Sequence, residues 1–323
     1  MPNAPTRPLA PPSAATLARR TALFCETPAE MVRRWALGAL YAVKPPRTTG
    51  LPALARMWLA DVMAPDWSLP DPERALASPL GLAGIVHDLS VPTLIAAYRR
   101  GLYPMAHIAP LKWLSPPERC VLSFDRFHIS RRLRSKLRQK RHTVSFDRDF
   151  ESVIKACAEP REGKWPLTWI TPRIMRAYAA LYDAGYVHSF EVTNRGGELV
   201  GGGYGVAVGG AFVIESQFSR ESGASKIGFA MLNWHLARWG FALDDNKGPT
   251  QNVLEMGFCT IPRADFLVRL AAAQRLPDRI GRWEVETDLD TVAAWQPNAA
   301  HAEAKLAPEQ PDAAAQPLRM MAT

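Results

Sequence analysis

The sequence predicts an α/β fold: an antiparallel sheet flanked by helices, with a small N-terminal domain ahead of it. Three observations carry that expectation. The stretch 187–226 reads as an antiparallel meander running into a polar turn, helical segments lie on both sides of it, and an aromatic- and proline-rich block, 67–119, precedes it. Residues 187–193 alternate with the two-residue period of a half-buried strand, and Asn194-Arg195-Gly196-Gly197 is a turn signal. Residues 199–208 are apolar but studded with glycine, Gly209-Gly210 suits a tight hairpin, and 211–219 supply a third strand. Gly201, Gly202, Gly203 and Gly205 leave one face of the sheet bare. Such glycines fit either a bulged strand or a floor on which a flat ligand or extended chain lies.

The 323 residues, 47% of them apolar, can bury a substantial core in one or two domains. A net charge of +8 suits a polyanionic partner. Cys25, Cys120, Cys157 and Cys259 lack the paired spacing of a zinc site or a disulfide frame and read as reduced thiols in small core positions. No apolar run approaches the roughly 18 residues of a membrane span.

Residues 1–60 read as a partly disordered extension, Pro/Ala-rich at first and without an acidic residue before Glu26. Its Arg-bearing, acid-poor start is similar to an organellar address but lacks the apolar core of a secretory signal. Within it, 29–43 predicts an amphipathic helix stopped by Pro45-Pro46. Residues 61–122 are expected to form the small domain. There Asp88-Leu89-Ser90-Val91-Pro92 starts a helix that Gly101 ends, and Tyr103 and Trp113 anchor a loop.

Residues 123–280 form the expected main domain. In 128–142, Ile129, Leu133 and Leu137 make one apolar stripe, and Arg131, Arg134, Arg138 and Arg141 another, cationic one. With no carboxylate interspersed, Arg131, Arg132, Arg134, Lys136 and Arg138 are candidate phosphate contacts, set against the simpler reading of a solvated face. Such contacts position a nucleic acid without reading its bases. Helices follow over 150–157 and 173–184, the second closed by Gly185. Trp169, just before it, is either a core aromatic or a stacking platform for a base. After the meander, 225–240 reads as a helix whose polar start favours anions, with Lys226 adding charge. A short strand, 241–244, runs into Asp245-Asn246-Lys247, and helices near 250–256 and 263–273 close the domain. Residues 281–323 read as a tail, disordered over the Ala/Pro/Gln-rich 298–323.

The motifs DLSVPTLIAAYRRGLYP, WLSPPER, HISRRLR, TWITP, HSFEV, LVGGGYGVAVG, ESQFS, GASK and GFALDD…MGF…IPRADFL stand in this order over about residues 66–275. With them the chain resembles the leucyl/phenylalanyl-tRNA–protein transferases. The resemblance implies a GNAT-like aminoacyl-transferase domain, built on a mixed, largely antiparallel central sheet flanked by helices, behind a small N-terminal domain, at work in the cytoplasm without metal or diffusible cofactor. Its partners would be an aminoacyl-tRNA and the N-terminal amine of an acceptor protein, with no membrane. A monomer is expected.

An aminoacyl ester is already activated, so transfer needs alignment, a proton acceptor for the attacking amine and stabilisation of an oxyanion. By the resemblance, Glu215 of ESQFS holds the donor's α-amino group, Asp245 assists proton handling, and Trp169 lies near the terminal adenosine. A plain cross-strand charge on an exposed sheet face is the competing reading of Glu215.

The departures from the family pattern are as informative. Lys247 stands where the family has a glutamine, and a charged lysine accepts no hydrogen bond. It can stabilise an oxyanion, serve as a base if burial lowers its pKa, or abolish transfer. Counting forward from Gly240 instead puts Asp244 on the aspartate and Asn246 on the glutamine. Gly203 and Gln217 replace methionines of the apolar side-chain pocket, Asp244 replaces an aliphatic residue, and Met105 replaces a tryptophan after Pro104. The expected substrate-binding positions are Trp169, Gly203, Gln217, Phe229, Asp244 and Asn246. The replacements suggest a more polar donor or a different amine acceptor. A non-catalytic tRNA-binding descendant is a further alternative, as is an acyl-CoA-dependent acetyltransferase, although no clear phosphate-binding glycine loop is present.

Overall fold

The computed structural model describes residues 9–44, 47–78, 81–105, 109–160 and 165–297. The first residues of the extension, 1–8, and the expected disordered stretch 298–323 lie outside them. Three helices come first: α1 (Ala14–Leu23), α2 (Pro28–Ala42) and α3 (Leu51–Met63). Ser13 caps α1, and Thr27 with Glu30 forms a capping box on α2, satisfying N–H groups that a helix start leaves unpaired. The described part of the extension is anchored. Arg20 is buried between Glu151 (2.8 Å) and Asp183 (2.5 Å), and Phe24, 1% exposed, enters the main core.

The small N-terminal sheet contains β1 (Leu82–Ile85), β2 (Tyr103–Met105) and β3 (Lys112–Leu114) in the order β1-β3-β2, with α4 (Val91–Arg99) between β1 and β2. Tyr103 and Trp113, expected in a loop, are buried strand residues. Gly101 ends α4 with φ +77°, close against Phe266 and Leu267.

The central sheet has the order β10-β4-β9-β8-β7-β6-β5. It comprises β4 (Glu118–Leu122), β5 (His142–Phe146), β6 (Val187–Asn194), β7 (Leu199–Val208), β8 (Ala211–Ser219), β9 (Leu243–Asp245) and β10 (Cys259–Pro262). Every pairing is antiparallel except β8 with β9, so the sheet is mixed and largely antiparallel, as expected. β4 belongs to this sheet, so 118–122 leave the small domain expected over 61–122 and join the main one. One face is covered by α5 (Arg131–Arg138), α8 (Ala224–Arg238) and α11 (Leu289–Ala294), over a core that includes Phe190, Phe212 and Phe229. The other carries α4, α6 (Phe150–Ala158) and α7 (Pro172–Asp183), over Phe150, Tyr178, Tyr204 and Val213. α9 (Gln251–Glu255) leads to the β10 edge, where α10 (Arg263–Ala273) packs.

The glycines of β7 do not make an open floor. A Cβ on Gly201 would meet Ala224 at 2.8 Å, on Gly203 the Phe190 ring at 2.7 Å, and on Gly205 the Phe212 ring at 2.5 Å. Their work is to let α8 and two phenylalanine rings press onto the sheet; Gly202 faces the other way, against Phe218. The chain expected as a tail from 281 is packed as far as 297. Trp283 stacks on His188 at 3.6 Å, Trp295 stacks on Phe127, and α11 lies on α5 and α8. Among the described residues no helix is long and apolar enough to cross a membrane.

Candidate active site

The parallel pair sets the geometry. Ala211, Phe212 and Val213 pair with Leu243, Asp244 and Asp245, after which β9 ends while β8 continues to Ser219. The sheet therefore splits beyond Val213, at the carboxyl ends of its two parallel strands. Just there β8 is irregular: Ile214 opposes Gly205 and Ser216 opposes Tyr204, leaving Glu215 as the extra, bulged residue. A bulge re-aims a side chain, and this one sends Glu215 toward α4 and α7. Oε1 accepts from the Tyr98 hydroxyl at 2.8 Å and Oε2 from the Tyr178 hydroxyl at 3.0 Å, with the two hydroxyl oxygens side by side. The carboxylate is fully buried, unlike a plain cross-strand charge on an exposed face. Burial, and next the Glu215 charge, hold both tyrosine pKa values far above the ordinary phenol value, so both stay neutral donors.

Beyond β9 the chain bends sharply at Lys247, whose φ of +61° is unusual for a residue with a side chain. Two contacts hold the bend. The Lys247 N–H donates to Asp245 Oδ1 at 2.8 Å, and Cys120 pairs its peptide with those of Asn246 and Lys247. Lys247 Nζ then lies 2.8 Å from Glu215 Oε1, an ion pair by distance but off the direction of a good hydrogen bond. The Tyr103 ring lies 5.0 Å and the Trp169 ring 6.0 Å from that nitrogen. Burial pushes the Lys247 pKa down, and Glu215 opposes it. Asp245 is clamped by Arg119, whose Nε is 3.2 Å from Oδ1 and whose Nη2 bonds Oδ2. Arg119, 1% exposed, also donates to the Gly101 carbonyl at 2.9 Å and lies over the Phe266 ring.

Thus Glu215, Asp245, Lys247 and Trp169 come together. Trp169 meets Tyr178 edge-on at 6.2 Å and, with Ser216 and Trp165, lines a hollow of about 220 Å³. Asp244 points to the opposite face, toward Asn233 of α8. Among the described residues no cation stands against its carboxyl group, whose neighbours are the Asn233 side chain and the Asp245 backbone. Burial, then the neighbouring Asp245 charge, raise the Asp244 pKa far above the carboxylate range. By strand alternation Asp245, not Asp244, shares surroundings with Lys247 and Glu215. Gly203 is filled by Phe190 and by the stem of Gln217, its cross-strand partner, and Phe229 stacks on Phe258 in the α8-side core. Asn246 turns its amide to the Gly248 carbonyl at 2.8 Å.

Of the basic candidates, Arg131, Arg132 and Arg138 are exposed on α5. Arg134 instead donates to the Ala293 and Trp295 carbonyls, and Lys136 to the Ser222 carbonyl. Helical spacing could not foresee these bonds, because their acceptors are remote in sequence. Lys226 pairs with Glu255 at 3.2 Å. Beside α5, Lys136, Arg141, His142 and Arg195 line a basin of about 840 Å³. Among the described residues no group of three His, Cys, Asp or Glu side chains is placed to hold a metal.

Tyr98, Tyr178 and Arg119 were not singled out from the sequence. Tyr98 and Arg119 lie inside recognised motifs, and the one available signal was a lone arginine opening the apolar strand Arg119-Cys120-Val121-Leu122.

The split in the mixed sheet thus gathers two buried carboxylates and a lysine amine. The sequence profile described as leucyl/phenylalanyl-tRNA protein transferase matches residues 121–271, and that of its N-terminal domain matches 87–117. A leucyl/phenylalanyl-tRNA–protein transferase of Alkalilimnicola ehrlichii is 45% identical over 239 residues, 74% of this chain and 92% of that protein. One of Azotobacter vinelandii is 49% identical over 200 residues, 62% of this chain and 88% of its own length. The chain belongs to the leucyl/phenylalanyl-tRNA–protein transferase family.

Proposed function

We propose that this chain moves leucine or phenylalanine from the 3′ end of an aminoacyl-tRNA onto the N-terminal α-amine of an acceptor protein. The observation that carries the chemistry is the bulged Glu215, bonded by Tyr98 and Tyr178, beside Lys247 and the Arg119-clamped Asp245. Glu215 takes the donor's α-ammonium; the Lys247 ammonium 2.8 Å away supports this, since an ammonium already fits there. Bringing ester and amine together supplies most of the rate, because the ester is already activated. Asp245, held in place by Arg119, and Lys247 then handle the proton that the attacking amine loses. Trp169, beside the hollow, offers a stacking surface for the terminal adenosine. Arg131, Arg132 and Arg138, with the neighbouring basin, meet tRNA phosphates. This reading places the enzyme in the cytoplasm, as a monomer.

A transfer assay with each charged tRNA supplied separately, and a peptide bearing a free N-terminus, tests the proposal. Labelled peptide is expected from leucyl- and phenylalanyl-tRNA. Transfer from neither would overturn it.

A further inference from the structure

Four charged groups meet at the split in the sheet and balance: Glu215 and Asp245 against Arg119 and Lys247. All are buried, Lys247 being the most open at 8% exposure. Asp245 is fully engaged by Arg119 and the Lys247 N–H, and Arg119 is held by the Gly101 carbonyl as well. The Glu215–Lys247 pair is the loose one, close but poorly directed. A donor ammonium at Glu215 brings a third positive charge against two negative ones. In buried surroundings such an excess is costly unless some group neutralises. Arg119 cannot lose its proton, whereas a lysine can. The groups facing Lys247 are Glu215 from β8, Asp245 from β9, Arg119 from β4 and Tyr103 from β2, with the Trp169 ring beside them and Tyr98 and Tyr178 behind Glu215. None of them supplies the missing negative charge while the tyrosines stay protonated. Burial already loosens the lysine's proton.

Resting on the donor placement above, we propose that Lys247 stands in for the donor's ammonium at Glu215 and releases its proton to solvent when the donor binds. A neutral amine is then left beside the ester as the proton acceptor for the incoming N-terminus. The acceptor arrives as an ammonium with three protons, and one passes to Lys247 Nζ. The freed lone pair attacks the ester carbonyl carbon, whose π pair moves onto oxygen. Collapse re-forms the carbonyl and breaks the bond from acyl carbon to ribose oxygen. That oxygen leaves with the electron pair and takes the second proton from nitrogen, and the third remains on the new amide. Protonated Lys247 pairs with Glu215 again as the product leaves.

Calorimetric titration of the full chain with a non-hydrolysable phenylalanyl-adenosine analogue, in buffers of differing ionisation enthalpy, counts the protons released. At about pH 6.5 the analogue's own α-amine stays largely protonated. The wild type is expected to release close to one proton per analogue bound, and Lys247→Arg and Lys247→Gln none. Binding without release by the wild type, or equal release by Lys247→Gln, would overturn the exchange alone. No binding by the wild type would overturn the donor site itself. Should a variant fail to fold, the wild-type count still decides.

Discussion

Asp244 and Asp245 are neighbours on one short strand, both fully buried, and they live in opposite chemical worlds. Asp245 faces the split and is satisfied by the Arg119 guanidinium and a backbone N–H. Asp244 faces α8, meets no cation among the described residues, and lies by the side chain of Asn233. The difference is one step of strand alternation. A carboxylate becomes a usable charge where cations meet it, and a neutral acid where they do not.

The sharpest way to break the contrast is to remove the cation. Arg119→Met takes the guanidinium from a buried Asp245, and breaking such a pair costs about 3–5 kcal/mol. Urea unfolding should show a large loss of stability, which the double change with Asp245→Asn partly restores. Equal loss in the single and double variants would mean that the clamp is not what makes Asp245 tolerable.

Next in size is Glu215→Gln. Losing a charge-assisted contact to the donor is worth about 1.5–3 kcal/mol, so kcat/KM should fall roughly 10- to 10²-fold. Steady-state transfer with phenylalanyl-tRNA measures it.

On the α8 side the sign reverses. Asp244 titrates higher folded than unfolded, so its contribution favours the fold below about pH 4 and is lost as pH rises toward its raised value. Asp244→Asn removes that loss and can donate to Asn233, gaining about 1–3 kcal/mol at neutral pH. Its advantage in melting temperature should therefore be largest near neutrality and shrink toward about pH 4. An advantage that does not change with pH would contradict a neutral, raised Asp244.

The smallest effect concerns the basic helix. Replacing Arg131, Arg132 and Arg138 with alanine should flatten the salt dependence of tRNA binding by up to about three slope units. Arg134→Ala should leave that slope unchanged and lower thermal stability, because Arg134 serves the Ala293 and Trp295 carbonyls.

Much of this was legible before the structure, and the gaps share one cause. The meander could be read because alternation and the Gly209-Gly210 turn are local signals. Glu215, Asp245 and Trp169 stood out through the order of the motifs. What pressed on the β7 glycines could not be read, because Phe190, Phe212 and Ala224 reach them through pairing and packing. Nor could the Glu215 bulge, which exists only as an offset against β7. Its partner Tyr98 lies 117 positions away in the sequence, and Arg119 lies 126 from Asp245. Counting along the chain left Asp244 and Asp245 interchangeable, and only the pleat of a folded strand tells them apart. The segment after 281 read as a tail because alanine and proline dominate its far end, hiding the core tryptophan Trp283.

The most direct measurement is single-turnover transfer from phenylalanyl-tRNA to an amine-bearing peptide, run side by side for Glu215→Gln and Asp244→Asn. The account predicts a slow Glu215→Gln enzyme and an Asp244→Asn enzyme close to wild type. A fast Glu215→Gln with a crippled Asp244→Asn would place the chemistry on the other face of the sheet and contradict it.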